Sequence, residues 1–220
     1  MIPLSDASRR PLHFPIATAL IIGLNFIVFF FELEGGDAFI VRWSLVPADI
    51  VTGHSWLTIL TAMFMHAGWE HILGNMLFLW VFGPEIEDVM GSMRYSAFYL
   101  LGGCAATFAQ IAANPSSTIP NMGASGAIAA VMGVFMITYP RDRIKTVVIL
   151  GWFVSIRYIP AIILVGLWFL VQLFSQVGAL TQINTGGVAY MAHVGGFLFG
   201  TIAGRLFELP GRVRQQKWNG

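Results

Sequence analysis

Six apolar stretches dominate this sequence, and each is long enough, or nearly long enough, to cross a membrane. They lie at residues 15–33, 71–86, 95–113, 125–139, 158–174 and 187–206. The chain is 56% hydrophobic and only 10% charged, which excludes an ordinary water-soluble domain. We therefore predict an all-α membrane protein, built as a bundle of six transmembrane helices.

Two further apolar segments are harder to assign. Residues 56–65 are too few to cross and lead into a histidine-rich stretch, so we expect an interfacial or re-entrant segment in the first outer loop. Lys145 and Arg157 lie at the two ends of the run at residues 144–156, which favours a segment on the membrane surface. The expected organisation is an N-terminal segment at 1–14, a membrane domain at 15–206 and a C-terminal tail at 207–220.

The basic residues predict the orientation. If both termini are cytoplasmic, every lysine and arginine except Arg42 falls on the cytoplasmic side, as positively charged loops prefer.

The first apolar stretch has no obvious cleavage site after it, so we expect it to stay as the first helix rather than to be a signal peptide. The single cysteine, Cys104, excludes a disulfide framework, and a net charge of +1 gives no indication of nucleic-acid binding. The compact six-span form favours a bacterial inner membrane, and the oligomeric state is left open.

A serine and a histidine stand out within these spans. Ser125 opens the fourth span between glycines, and His193 lies early in the sixth. Both spans run from outside to inside, so the two residues share the outer half of the bilayer. The fourth span reaches only roughly 22 Å, less than the ~30 Å apolar core, so Ser125 should lie below the outer surface.

Small residues provide a way to bring these two helices together. Gly126 begins a small-residue face on the fourth span, while Gly196 and Gly200 continue the face of His193 on the sixth. If the two faces pack together, Ser125 meets His193. The alternative is that both faces are only packing seams, with the serine bonded to a carbonyl and the histidine structural.

The chemistry of such a pair is that of a serine nucleophile and its base. A hydroxyl at a helix start lies beside unpaired N–H groups that can stabilise an oxyanion, and His193 can take its proton at neutral pH. No carboxylate is expected near the pair. We therefore predict a Ser–His dyad whose imidazole is held by packing.

A second polar cluster comprises His66, His71 and Asn75 at the outer end of the second span. His71 and Asn75 are one helical turn apart, so their N–H donors can complete an oxyanion hole with the Ser125 amide. A zinc site made of His66, His71 and His193 is the competing interpretation, but its spacing is not the usual i, i+4. We expect no metal and no cofactor, and His66 can equally be a structural residue.

These motifs resemble those of the rhomboid intramembrane serine proteases, over about residues 56–206. The family's GxSG appears around Gly123 and Gly126, its histidine and asparagine pattern appears at His66, His71 and Asn75, and its AHxxGxxxG appears at residues 192–200. The resemblance implies that Ser125 is the nucleophile, that His193 is the base, and that His71, Asn75 and the Ser125 amide bind the oxyanion. It also implies a first outer loop partly embedded in the membrane and a mobile cap near residues 177–186.

One position departs from the better-known bacterial pattern, in which an aromatic residue one turn after the serine stacks on the histidine. Here Ala129 occupies that position. Tyr190, one turn before His193, is either a substitute aromatic neighbour or an anchor at the membrane interface.

The predicted function is cleavage of single-span membrane proteins near the outer side of the bilayer, through an acyl-enzyme. The expected partners are transmembrane substrates and membrane lipids. A catalytically silent relative would act as a binding module, although such proteins usually lose the serine or the histidine. A transporter is less favoured, since the sequence has no convincing inverted repeat and no intramembrane charge. A lipid hydrolase with the same dyad is the third alternative.

Overall fold

A computed structural model describes residues 1–179 and 189–213 and is mostly helical. Its longer helices, in chain order, are α1 (Ile16–Trp43), α4 (Trp69–Met90), α5 (Ser92–Ala113), α6 (Ser125–Thr138), α7 (Ala161–Ala179) and α8 (Tyr190–Phe207). Two short helices, α2 (Pro47–Val51) and α3 (Thr58–Thr61), and a 3₁₀ turn at Ala62–Phe64 connect α1 to α4. Each predicted apolar stretch thus contains a helix, and apart from the C-terminal end of α1 the ends differ by a few residues.

Helix α1 extends well beyond its predicted end at residue 33. It continues to Trp43 through a break at Gly36, whose φ of +54° is accessible mainly to glycine. The segment at 56–65, predicted to be too short to cross, forms only α3 and the 3₁₀ turn. Its depth in the membrane stays a prediction.

Two helices, α1 and α5, are long and apolar enough to cross a membrane by length and composition. Residues Ser125–Thr138 and Ala161–Phe174 form shorter apolar helices. The count of six transmembrane helices therefore stays a prediction, although the described part of the chain holds all six predicted helical segments.

Helix α6 lies at the centre of the bundle. It packs against α4, α5, α7 and α8, and every residue from Gly126 to Phe135 is buried. A helix that is apolar on all sides needs such surroundings. Its first residue, Ser125, consequently lies at one end of the bundle interior.

Glycines set the close approach of α6 and α8. A Cβ built on Gly196 would lie 2.0 Å from the carbonyl oxygen of Gly126, and one on Gly200 would lie 2.0 Å from that of Ala130. Real Cβ atoms do not approach oxygen so closely, so only glycine permits this spacing. The small-residue faces identified in the sequence pack against each other, and this contact brings the two helix starts together.

The prediction of an all-α fold is wrong in one respect, because the chain also forms a three-stranded antiparallel sheet. Its strands are β1 (Ile2–Asp6), β2 (Arg143–Leu150) and β3 (Phe153–Pro160), in the order β1-β2-β3. The uncertain run at 144–156 is most of the β2–β3 hairpin, with Gly151 at a φ of +58° in its turn. Branched residues favour strands, and pairing with β1 satisfies one edge of β2 that a lone hairpin would leave open.

The sheet lies at the end of the bundle opposite Ser125. Helix α6 begins at Ser125 and ends at Thr138, just before β2, so its length of about 21 Å separates the two. At the sheet end, Arg9 forms an ion pair with Asp142, which follows α6. The N-terminal segment is thereby fixed against the bundle.

Carboxylates at the end of α4 hold the start of α1. Glu87 accepts hydrogen bonds from the backbone N–H groups of Ala17 and Thr18, both at 2.8 Å, and from the Thr18 hydroxyl. These N–H groups belong to the first turn of α1 and have no acceptor within the helix. Asp88 accepts from the N–H of Leu12 at 3.0 Å. Glu87 and Asp88, which lie far from Ser125, therefore have a structural role at the start of α1 and in the segment before it.

Candidate active site

Ser125 is the first residue of α6, and its position follows from the turn before it. Gly123 has a φ of +136°, a conformation that other residues rarely adopt, and its N–H donates to the carbonyl of Ala62 at 2.9 Å. The turn directs the chain into α6 and leaves Ser125 half-buried. As the first helical residue, Ser125 has a backbone N–H with no acceptor in the helix, available to an oxyanion.

His193 meets Ser125 across the α6–α8 contact. The Ser125 hydroxyl donates to Nε2 of His193, with an Oγ–Nε2 distance of 2.7 Å. The imidazole is buried, with 7% of its surface exposed. The distance lies within the range in which a base can take the proton of a serine hydroxyl.

A glutamine that the sequence analysis missed holds the other side of the imidazole. Gln172, on α7, lies with Oε1 2.7 Å from Nδ1 of His193. Since Oε1 can only accept, Nδ1 carries the proton and Nε2 is left as the acceptor that Ser125 needs. Packing alone was expected to hold this ring. The available signal was a lone amide within the apolar stretch 158–174.

The aromatic neighbour of His193 also comes from α7. The ring of Trp168 lies 5.7 Å from the imidazole, centroid to centroid. Tyr190, predicted as either a substitute aromatic neighbour or an interface anchor, is the half-buried first residue of α8. Its suggested anchoring role stays a prediction. The predicted mobile cap near residues 177–186 lies outside the described residues for all positions from 180 to 186.

His71 projects from α4 toward the turn before α6, and Asn75 lies one helical turn further along α4. A Cβ built on Gly123 would lie 3.0 Å from Cε1 and Nε2 of His71 and 3.6 Å from Oγ of Ser125. The imidazole edge of His71 thus borders the turn that holds the serine. Asn75 is buried, and its Nδ2 has no hydrogen-bond partner among the described residues. A buried amide of this kind is an available donor.

His66 lies behind His71 rather than beside Ser125. Its ring is buried and meets His71 edge-on, at 5.0 Å between centroids. Its backbone N–H donates to Oε2 of Glu32 on α1 at 2.9 Å. Glu32 is buried near the end of the apolar stretch at 15–33, so this carboxylate lies within the bundle. The contact with His66 was not predicted, because Glu32 lies at the edge of its apolar stretch, where acidic residues are common.

Two features of the surroundings of Ser125 bear on its chemistry, a neighbouring cavity and the placement of metal-ligating side chains among the described residues. A small cavity beside Ser125 is lined by Met63, Thr107, Gln110 and Ala192, among others. Within residues 1–179 and 189–213, histidine, cysteine, aspartate and glutamate form no group of three placed to hold a metal ion.

The helical bundle thus brings a serine and a histidine into hydrogen-bond contact at one end of its interior. The sequence model of the Rhomboid domain matches residues 53–208, so the chain belongs to the rhomboid family, whose members are integral membrane proteins.

Named relatives agree with this assignment. Rhomboid protease GluP of Bacillus subtilis is 28% identical over 200 residues, which cover 89% of this chain and 36% of the relative. Rhomboid protein 1, mitochondrial, of Saccharomyces cerevisiae is 27% identical over 192 residues, covering 84% and 51%. The putative rhomboid protease YdcA of Bacillus subtilis is 27% identical over 130 residues, covering 56% and 62%. The chain thus spans about a third to a half of the length of the first two relatives.

Proposed function

We propose that this protein is an intramembrane serine endopeptidase that cleaves membrane-spanning proteins. The observation that carries the proposal is the 2.7 Å contact between the Ser125 hydroxyl and Nε2 of His193 at the edge of an apolar bundle. Polar side chains among apolar helices of a membrane protein cost free energy unless they are paired or functional. Similarity to two relatives named for this activity, rhomboid protease GluP and the putative rhomboid protease YdcA, supports the same proposal.

In the first half of the reaction, His193 Nε2 takes the proton of Ser125 as Oγ attacks the carbonyl carbon of the substrate peptide bond. The carbonyl π bond breaks and its oxygen becomes an oxyanion. The backbone N–H of Ser125, Nε2–H of His71 and Nδ2–H of Asn75 are the donors proposed to stabilise it. The C–N bond then breaks, and the leaving amine takes the proton from Nε2.

In the second half, water replaces the amine. Nε2 takes a proton from the water, whose oxygen attacks the acyl carbon, and Ser125 leaves with its proton restored. Gln172 keeps Nδ1 protonated, so Nε2 can accept a proton in both steps. The neutral amide also accepts the hydrogen bond that the imidazolium donates, although it contributes less charge stabilisation than a carboxylate.

The proposed substrate enters in an extended form. A peptide bond inside a helix is shielded by its own hydrogen bonds, so the substrate helix must unwind near its end to reach Ser125. Helix-breaking or small residues near the cleavage site should therefore favour cleavage. With both termini cytoplasmic, as the basic residues favour, cleavage takes place in the outer half of the membrane, which we take to be a bacterial inner membrane.

The test is reconstitution of the full chain in liposomes with a single-span reporter. We expect one cleavage near the outer end of the reporter helix, mapped by mass spectrometry, and labelling of Ser125 by a fluorophosphonate probe. Absence of both cleavage and labelling would favour a silent binding module. Labelling with hydrolysis of lipid alone would favour a lipase, and loss of cleavage with a chelator followed by recovery with zinc would restore the metal interpretation.

Removal of the Gln172 acceptor should slow the reaction. In Gln172→Leu nothing fixes the imidazole tautomer, and we expect fluorophosphonate labelling of Ser125 to slow by roughly 100-fold, at the lower end of what a positioned base contributes. Gln172→Glu keeps an acceptor at the same place and should retain most of the rate. If Leu and Glu variants label equally fast, with similar thermal stability, Gln172 is only a packing residue.

Removal of the Asn75 amide should affect the transition state more than the fold. Because Nδ2 has no partner in the described structure, Asn75→Ala costs no hydrogen bond between residues, yet we expect kcat to fall about 100-fold or more. KM for the reporter should change little. Leu73→Ala, at an exposed position of the same helix, is the control and should leave kcat unchanged. An unchanged kcat in Asn75→Ala would remove this residue from the oxyanion hole.

A further inference from the structure

The β2–β3 hairpin turns an apolar face away from the bundle. Cross-strand pairs place Val147 opposite Ile156 and Ile149 opposite Val154 on that face. Val154 is 67% exposed, and Ile149 and Ile156 are each about half exposed. We call these residues, together with Tyr158, the outer face. Surface strands usually present polar side chains to water, so this pattern is the reverse of a soluble sheet.

The base of the opposite face of the hairpin already packs against the bundle. Ile144 and Thr146 are fully buried, and Ile159 packs against the main apolar core. Alternate residues of a strand point to opposite faces, so the outer face cannot also pack on the bundle. Its cover must come from outside the described chain.

The tip of the hairpin is more exposed still. Leu150 and Phe153 flank the turn at 71% and 81% exposure, and Trp152 is 99% exposed. Such a group of large apolar side chains in water promotes aggregation, whereas tryptophan is enriched where lipid headgroups meet the apolar core. The tip therefore has the chemistry of an interfacial anchor.

The outer face is continuous with the outer surface of α7. Strand β3 ends at Pro160, and α7 begins at the next residue, with no loop between them. Tyr158 is exposed on the strand, and Ile162 and Ile163 are exposed on the first turn of the helix. A helix of an integral membrane protein turns such residues to lipid, so the apolar surface of the hairpin starts where the lipid-facing surface of α7 ends.

Positive charge gathers at the base of the hairpin. A pocket of about 560 Å³ lies between the N-terminal segment and the sheet, and Arg10, Lys145 and Tyr158 are among its lining residues. Arg9, also in the lining, pairs with Asp142. Burial raises the pKa of the Asp6 carboxyl to about 7, so this group carries much less than a full negative charge at neutral pH. The pocket thus has the charge and the size for an anionic headgroup.

We propose that the hairpin inserts its outer face and tip into the adjoining membrane leaflet, with an anionic lipid headgroup held at Arg10 and Lys145. Apolar burial and attraction to anionic lipid act together in such interfacial segments. This site lies at the end of the bundle opposite Ser125, and it does not depend on the proposed peptidase activity.

The depth of the tip is the first test. In a Cys104→Ala background, a nitroxide is attached at Trp152→Cys in the full chain, in bilayers of phosphatidylcholine and phosphatidylglycerol. We expect its accessibility to oxygen relative to a polar nickel complex to match that of Ile163→Cys and to exceed that of Arg94→Cys several-fold. A ratio equal to that of position 94 would overturn the proposal. Spin–spin broadening that vanishes on dilution with unlabelled protein would do so as well, because a second copy would then cover the face.

The headgroup contact is tested by native mass spectrometry of the full chain with phosphatidylglycerol. Neutralising Arg10 or Lys145 to glutamine should weaken retention of phosphatidylglycerol roughly fivefold for each charge, the usual value of a basic residue near an anionic surface. Arg94→Gln, which removes an exposed charge outside the pocket, is the matched control and should change nothing. Equal retention in all three variants would overturn the headgroup contact.

Discussion

Replacement of Ser125 by alanine should abolish cleavage of the reporter and labelling by the fluorophosphonate probe. Without Oγ there is no nucleophile, and loss of the nucleophile in serine hydrolases lowers kcat by about 10⁶-fold. The bundle should survive, because the half-buried hydroxyl is replaced by a side chain that fits the same small-residue face. The measurements are initial rates of cleavage in liposomes and the thermal unfolding midpoint of each variant.

The control for this prediction is another helical serine. Ser96, on α5, donates its hydroxyl to the carbonyl of Ser92 within its own helix, so Ser96→Ala should keep full activity. His193→Asn should match Ser125→Ala, because a nucleophile and its base act as a unit and their effects do not add. Cleavage that persists in Ser125→Ala would end the assignment of this residue as nucleophile.

Replacement of Gly200 by alanine should slow the reaction strongly, although Gly200 does not contact the site. Gly200 lies two helical turns from His193 on α8, and a Cβ there would lie 2.0 Å from the carbonyl oxygen of Ala130. That oxygen belongs to the backbone of α6, so relief of the clash requires α8 to move away. We expect a loss of about 1–3 kcal/mol in stability from overpacking. A displacement of about 1 Å at the Ser125–His193 contact should slow labelling roughly 100-fold.

The matched control is a helical glycine with free space around it. Gly23, on α1, has no neighbouring atom within 4 Å of a built Cβ, so Gly23→Ala should leave activity intact. The comparison separates the close contact from the general effect of alanine in a helix. If Gly200→Ala labels as fast as Gly23→Ala, the spacing of α6 and α8 does not set the position of the dyad.

Local periodicity explains which elements the sequence predicts well. The long apolar stretches identify their helices, because a membrane helix is specified by length and apolar content along the chain. The β2–β3 hairpin could not be predicted in this way. Residues 144–156 are apolar on both faces of a strand, so they show neither strict alternation nor a helical stripe. Pairing with β1, more than 130 residues away in sequence, completes the sheet.

The membrane class, the helical segments and the small-residue faces that carry Ser125 and His193 can be predicted from the sequence. These are properties of neighbouring residues, expressed through helix periodicity and apolar content. The 2.7 Å contact between the two side chains, the amide of Gln172 behind the imidazole and the carboxylate of Glu32 at His66 could not be predicted in this way. A hydrogen bond depends on tenths of an ångström and on the rotation of each helix about its axis, and both are set by packing among helices far apart in the chain.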